Sequence, residues 1–158
     1  MYNKDFMLEA FNSARFGSKH LVGGPFGATI VKDGKIVTTQ HNSVLLTKDP
    51  TAHAEVNAIR SASLKLGTYD LSDCELYATG YPCPMCLGAI MWAGIKKVYV
   101  SGNLEDAEKI GFSDEKFYET IDNLRNSCYN INMDIEFVDR ELAQTLYSEY
   151  EQQKGIIY

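Results

Sequence analysis

The chain has 158 residues, a formal charge of −6 and 45% hydrophobic residues, enough apolar mass to close one core. One domain over residues 1–158 is expected, and the four cysteines are not needed as staples. The acidic balance argues against nucleic acid as a partner, since phosphate binding needs a concentrated Lys/Arg footprint.

Residues 1–20 carry Lys4, Asp5, Glu9, Arg15 and Lys19 without an apolar run, so no secretory signal is visible and the cytoplasm is expected. Apolar positions at Phe6, Met7, Ala10, Phe11 and Ala14 predict a first helix over Phe6–Phe16, stopped by Gly17. Phe26–Val31 and Lys35–Gln40 read as strands joined by a tight hairpin at Asp33-Gly34, a pair that accepts positive φ. After Asp49-Pro50 a helix is predicted over Ala52–Leu66, ending at Gly67, and then a strand over Glu75–Ala78.

Residues Leu76–Ile95 have no charge over a membrane-spanning length. Gly80, Pro82, Pro84, Gly88 and Gly94 break the run, which reads better as core, so no membrane span is expected. Within it a helix is predicted over Pro84–Ala93, followed by a strand over Lys97–Ser101. A fifth strand is expected at Ile135–Val138 and a last helix at Glu141–Gln153, with Glu105–Asn130 left open apart from one helix. Strands alternating with helices imply crossovers and a partly parallel sheet. The expected fold class is α/β, a three-layer α-β-α arrangement on a mixed five-stranded sheet.

Chemistry concentrates in His53-Ala54-Glu55 and Pro82-Cys83-Pro84-Met85-Cys86, each at a predicted helix start. Cys83 and Cys86 are three apart and share one face of a helical turn. Pro84 suits the first helical position, and the positive end of the helix dipole favours the thiolates that bind zinc. Two thiolates and an imidazole leave the fourth tetrahedral position for water, as in a catalytic site. His53 and Glu55 would point to opposite sides in mid-helix, so His53 must sit at the turn that starts the helix. A carboxylate placed there can take a proton from water and pass it to a leaving group. Cys83 and Cys86 alone suit half of a structural zinc site or a redox pair equally well; His53 and Glu55 favour catalysis. Cys74 and Cys128 lack partner spacing and read as ordinary thiols, and His20 and His41 as structural or exposed.

Four stretches join this pattern: Gly23-Gly24-Pro25-Phe26-Gly27-Ala28, Asp49-Pro50-Thr51-Ala52-His53-Ala54-Glu55, Pro82 to Ile90 with Trp92-Ala93, and Gly111-Phe112 followed by Asp114. H-x-E with P-C-x-x-C is the signature of zinc nucleobase deaminases. The chain resembles the cytidine deaminase-like superfamily and, within it, the small zinc-dependent bacterial guanine deaminases.

The resemblance implies Zn2+ held by His53, Cys83 and Cys86, with Glu55 as proton shuttle. It implies a base pocket using Phe26, Asn42, Ala54, Trp92, Asp114 and Tyr158. Phe26 or Trp92 would pack on a planar purine, Asn42 donate and accept on a base edge, and Asp114 accept from ring or amino N–H groups. By their residue types alone, Asn42 and Asp114 equally suit turns and caps, and Phe26 the core. The resemblance also implies a homodimer in which a C-terminal segment, about 139–158, crosses to the partner's site and Tyr158 acts in trans. Glu141 is a candidate second proton-transfer carboxylate. One departure stands beside the ligands: Gly80-Tyr81 precedes Pro82, where these enzymes usually carry Glu, so Tyr81 is a candidate modifier of substrate or pH dependence. The implied activity is guanine to xanthine and ammonia, within purine metabolism. The alternatives are the same chemistry on guanosine, cytosine or a triazine such as ammeline, then a transfer-RNA adenosine deaminase, which the acidic balance disfavours, or a non-catalytic zinc-binding dimer.

Overall fold

In a computed structural model the chain divides into two compact units, Met1–Asp122 and Asn123–Tyr158. The structure describes residues 1–126 together with 140, 142 and 144. The elements are α1 (Lys4–Lys19), β1 (Gly27–Lys32), β2 (Lys35–His41), α2 (Val44–Thr47), α3 (Ala54–Leu66), β3 (Cys74–Ala78), α4 (Pro84–Trp92), β4 (Lys97–Val100), α5 (Leu104–Glu108) and α6 (Glu115–Asn126).

Asn3 starts α1 by accepting a hydrogen bond from the Asp5 amide at 2.9 Å, the usual N-cap exchange. The hairpin turns where expected: Asp33 and Gly34 both adopt positive φ, at 50° and 71°, so the turn twists with the strands it joins. Strand order is β2-β1-β3-β4; β1 is antiparallel to both neighbours, and β3 runs parallel to β4. The sheet is therefore mixed, as expected. Among the described residues it has four strands rather than five. The strand expected over 135–138 and the helix expected over 141–153 lie outside the described residues.

Alternation along the strands sorts the core into two faces. Ala28, Ile30, Leu76 and Ala78 point to one side, where α3 and α4 cover them with Ala54, Ala58, Ala62 and Ile90. Val31 and Tyr77 point to the other, against Met7 and Phe6 of α1. The three alanines of α3 recur every fourth residue and are fully buried, so that helix lies close on the sheet. Leu76, also fully buried, contributes about 1.5–3 kcal/mol by leaving water. The charge-free run from Leu76 is resolved into β3, a turn and α4, and among the described residues no helix is long and apolar enough to cross a membrane. The open stretch after β4 holds two helices, α5 and α6, and the short α2 was not expected.

Candidate active site

Helices α3 and α4 lie on the same face of the sheet, and the residue that caps each start carries a ligand-type side chain. His53 precedes α3 in extended backbone, at φ −70° and ψ 157°. Cys83 precedes α4 in the same way, at φ −65° and ψ 167°, with Pro84 in the first turn. His53 is thus outside the helical period and Glu55 inside it, which lets both face one point. The turn before α3 is set by Asp49, whose Oδ1 accepts from the Thr51 amide at 2.8 Å and hydroxyl at 2.7 Å. Those bonds hold the Asp49 carboxyl below its ordinary pKa.

The His53 Nδ1 lies 3.6 Å from Cys83 Sγ and 3.5 Å from Cys86 Sγ. Zinc bonds of about 2.0 Å to nitrogen and about 2.3 Å to sulfur, at the tetrahedral angle, separate N and S by about 3.5 Å. The donor set and spacing fit zinc, and all three ligand atoms fall within 4.8 Å of one another. Among the described residues this is the cluster able to hold a metal ion.

Protons are tightly shared here. A hydrogen bond from Cys86 holds the Cys83 thiol well below its ordinary value, while the same bond and burial push Cys86 up. Bonding to Cys83 raises His53. Glu55 is buried, and its Oε2 accepts from Cys86 Sγ at 3.5 Å. Desolvation raises its carboxyl pKa.

His53, Glu55 and Cys83 line a cavity of about 350 Å³ together with Phe26, Asn42, Tyr81 and Asp114, while Cys86 is fully buried behind them. That size is at the small end of ligand pockets. Asn42 is 4% exposed, and its Oδ1 accepts from the Gly24 and Val44 amides, both at 3.2 Å. Its acceptor capacity is spent on backbone, so it offers the cavity Nδ2 as donor rather than both functions. Gly23 is required here, because a Cβ would overlap Asn42 Oδ1 and carbonyl oxygen. Burial, and then the charge of Cys83, raises the Asp114 pKa.

Two expected pocket residues lie elsewhere. Trp92 is six positions beyond Cys86, on another face of α4, and is 73% exposed. The Ala54 side chain is fully buried in the core beneath α3. Glu141 and Tyr158 lie outside the described residues, as does Cys128; Cys74 is buried at the start of β3. His20 bonds the Phe16 carbonyl at 2.8 Å and His41 the Ser13 hydroxyl at 3.1 Å, both structural roles.

Val44 and Leu45 had no legible signal, and Phe112 stood in a quoted stretch without a role of its own. Val44 and Leu45 reach the cavity through the short α2, and Phe112 through the loop before α6. Asn57 of α3 donates its amide to the His41 carbonyl at 3.0 Å, Ser43 Oγ at 2.9 Å and the Ala52 carbonyl at 3.2 Å. It ties the Asn42 loop to the helix that begins at His53; a polar residue facing inward at helix position four was its only mark. The Tyr118 hydroxyl donates to the Pro82 carbonyl at 2.6 Å, and burial pushes that phenol up to about 12.

Residues 1–102 match the cytidine and deoxycytidylate deaminase zinc-binding region. The chain belongs to this deaminase family. The deaminase is 49% identical over 122 residues to a guanine deaminase of Bacillus subtilis (strain 168), covering 77% of this chain and 78% of that protein. It is 52% identical to a tRNA-specific adenosine deaminase of Aquifex aeolicus, but over 77 residues, 49% of this chain and 51% of that one. Its fold is similar to the X-ray structure of guanine deaminase from Bacillus subtilis, with a TM-score of 0.83, 41% identity and 94% of both chains covered.

Proposed function

We propose that this deaminase hydrolyses guanine to xanthine and ammonia, with zinc held by His53, Cys83 and Cys86. The observation that carries the reading is the convergence of those three ligand atoms, with His53, Cys83 and buried Glu55 lining a cavity of about 350 Å³. The 49% identity to a guanine deaminase over 77% of the chain supports the choice of base, while the tRNA-specific adenosine deaminases that match over 68% and 84% of the chain are 36% and 30% identical.

When bound, zinc supplies the Lewis acidity that brings the pKa of water near 7. Water adds at C2 of the base. Glu55 takes the water proton, passes it to ring N3 and then serves the departing amine, so the C–O bond forms, the C–N bond breaks and ammonia leaves. Asn42 donates to an acceptor on the purine edge, Asp114 accepts from its N–H groups, and Phe26 packs on the ring. Trp92 and Ala54 act on the base only through neighbours or backbone, given where their side chains lie.

The reading extends to the whole chain as a single deaminase domain on a five-stranded sheet, working in the cytoplasm in purine metabolism. It takes the protein as a homodimer in which residues 139–158 cross to the partner's site, Tyr158 closes the base pocket in trans and Glu141 assists proton transfer. A small nucleobase is its partner, and nucleic acid is not. A second reading keeps the chemistry but changes the substrate to guanosine, cytosine or ammeline. It rests on Tyr81, which is 45% exposed and lines the cavity beside Cys83.

Ammonia release by zinc-loaded protein over guanine, guanosine, cytosine, adenine and ammeline tests both, with Glu55→Ala run in parallel. Preference for guanine supports the first reading, and preference for another base overturns it in favour of the second. Near wild-type turnover by Glu55→Ala would sink the proton-shuttle role, and silence of the wild type on every base would favour a non-catalytic zinc protein.

A further inference from the structure

The segment after β4 brings Phe112 and Asp114 to the cavity but buries little apolar surface of its own. Phe112 is 39% exposed, Phe117 50% and Ile121 42%. Segments of this kind open locally at low free-energy cost, so what ties them down governs how well they present their side chains.

Two contacts tie this one to the sheet side of the cavity. The Phe112 ring meets Phe26 edge-on at 5.0 Å. That approach needs glycine at position 24, where a Cβ would stand 2.9 Å from Phe112 Cζ. Further along, the Tyr118 hydroxyl donates to the Pro82 carbonyl at 2.6 Å across 36 residues of sequence, and its ring meets Tyr81 edge-on at 6.2 Å. Pro82 is buried and directly precedes Cys83, on backbone already set between β3 and the start of α4. The bond therefore joins a firm anchor to a loose segment, and the loose side moves when it is lost.

We propose that Tyr118 is a positioning residue: its bond to the Pro82 carbonyl holds residues 112–118 over the cavity so that Phe112 and Asp114 meet the base. The inference rests on the reading of the cavity as the base site. Tyr118 acts on base affinity through those two side chains and leaves the ligands of the metal in place.

Tyr118→Phe removes the donor and keeps the ring. KM for guanine then rises roughly threefold to tenfold, the equilibrium effect of one such hydrogen bond, and kcat falls by less. Zinc per chain is unchanged. In the zinc-loaded, base-free variant, amide exchange of residues 112–118 speeds up while that of α4 does not. Unaltered KM and exchange would overturn the proposal, as would loss of zinc with kcat falling at constant KM, which would make Tyr118 a support for the ligand turn. If the wild type releases no ammonia from guanine, the functional reading fails, and the exchange arm still decides whether Tyr118 holds the segment.

Discussion

His53 and Cys83 are 30 residues apart in the chain, and the Nδ1 of one lies 3.6 Å from the Sγ of the other. Each stands at the cap of a helix, on the same side of the sheet, so two helix starts converge where a cation binds. Neither side chain caps its own helix, which leaves both free to face that point.

Metal removal follows from this geometry. Dialysis against a chelator is expected to abolish ammonia release and lower the thermal midpoint, with both restored by zinc. At zinc a hundredfold above Kd the native state gains about 2.7 kcal/mol. Cys86→Ser is expected to lower zinc per chain, measured by atomic absorption; full zinc occupancy in that variant would contradict the assignment of ligands.

Gly23→Ala places a methyl group where Asn42 Oδ1 and carbonyl oxygen now sit. Asn42 must shift, and its Nδ2 donor leaves the position from which the proposed reading has it meet the base. KM for guanine is expected to rise at least tenfold with zinc content unchanged, a separation that steady-state kinetics and metal analysis read directly. An unaltered KM would show that Asn42 does not contact the base.

Asn57→Ala deletes the donors that join the His41 carbonyl, the Ser43 hydroxyl and the Ala52 carbonyl. The Ala52 carbonyl keeps the Ser43 amide at 2.9 Å, so the loss falls mainly on the His41 carbonyl, and a part-buried acceptor that loses its donor costs about 1–3 kcal/mol. Urea unfolding is expected to show that loss, and Asn57→Asp, which cannot donate, to show at least as much. A variant as stable as the wild type would mean that water replaces the amide at no cost.

Burial lowers the His41 pKa from 6.5, so the folded protein resists a proton that the unfolded chain accepts. The sign is that of a depressed group. Stability from His41 is complete above about pH 6.5 and is lost as pH falls from there through the folded value. The Ser13 hydroxyl at 3.1 Å and the Phe16 ring at 5.7 Å bring no charge that would offset this. Urea midpoints at two pH values, one on each side of this range, are expected to fall less for His41→Gln than for the wild type. Equal falls would assign the acid sensitivity to other groups.

Period and punctuation placed α1, the hairpin, α3, β3, α4 and β4 within a few residues, although α1 runs through its expected stop, Gly17, to Lys19, because Gly17 serves close packing against His41. Positive φ at Asp33 and Gly34 and the extended caps at His53 and Cys83 are short-range geometry, written in adjacent residues. The metal ligands were legible for the same reason: Cys83 and Cys86 share a turn, and His53 starts one. The short α2 and α5 bury no residue that would announce them.

What the sequence determined by itself was therefore the set of elements and the chemistry at their starts. Tertiary structure alone decided which polar atoms remain for a ligand. Asn42 could donate and accept on paper, but the backbone amides of Gly24 and Val44 consume its acceptor. Trp92 looked available to a purine, but helix geometry carries it off the cavity, while Phe112 reaches it against Phe26 and Tyr118 bonds Pro82 beside it, contacts 36 and more residues away in sequence. Hydrogen-bond capacity and side-chain direction depend on what packing brings alongside, and those neighbours are distant in the chain.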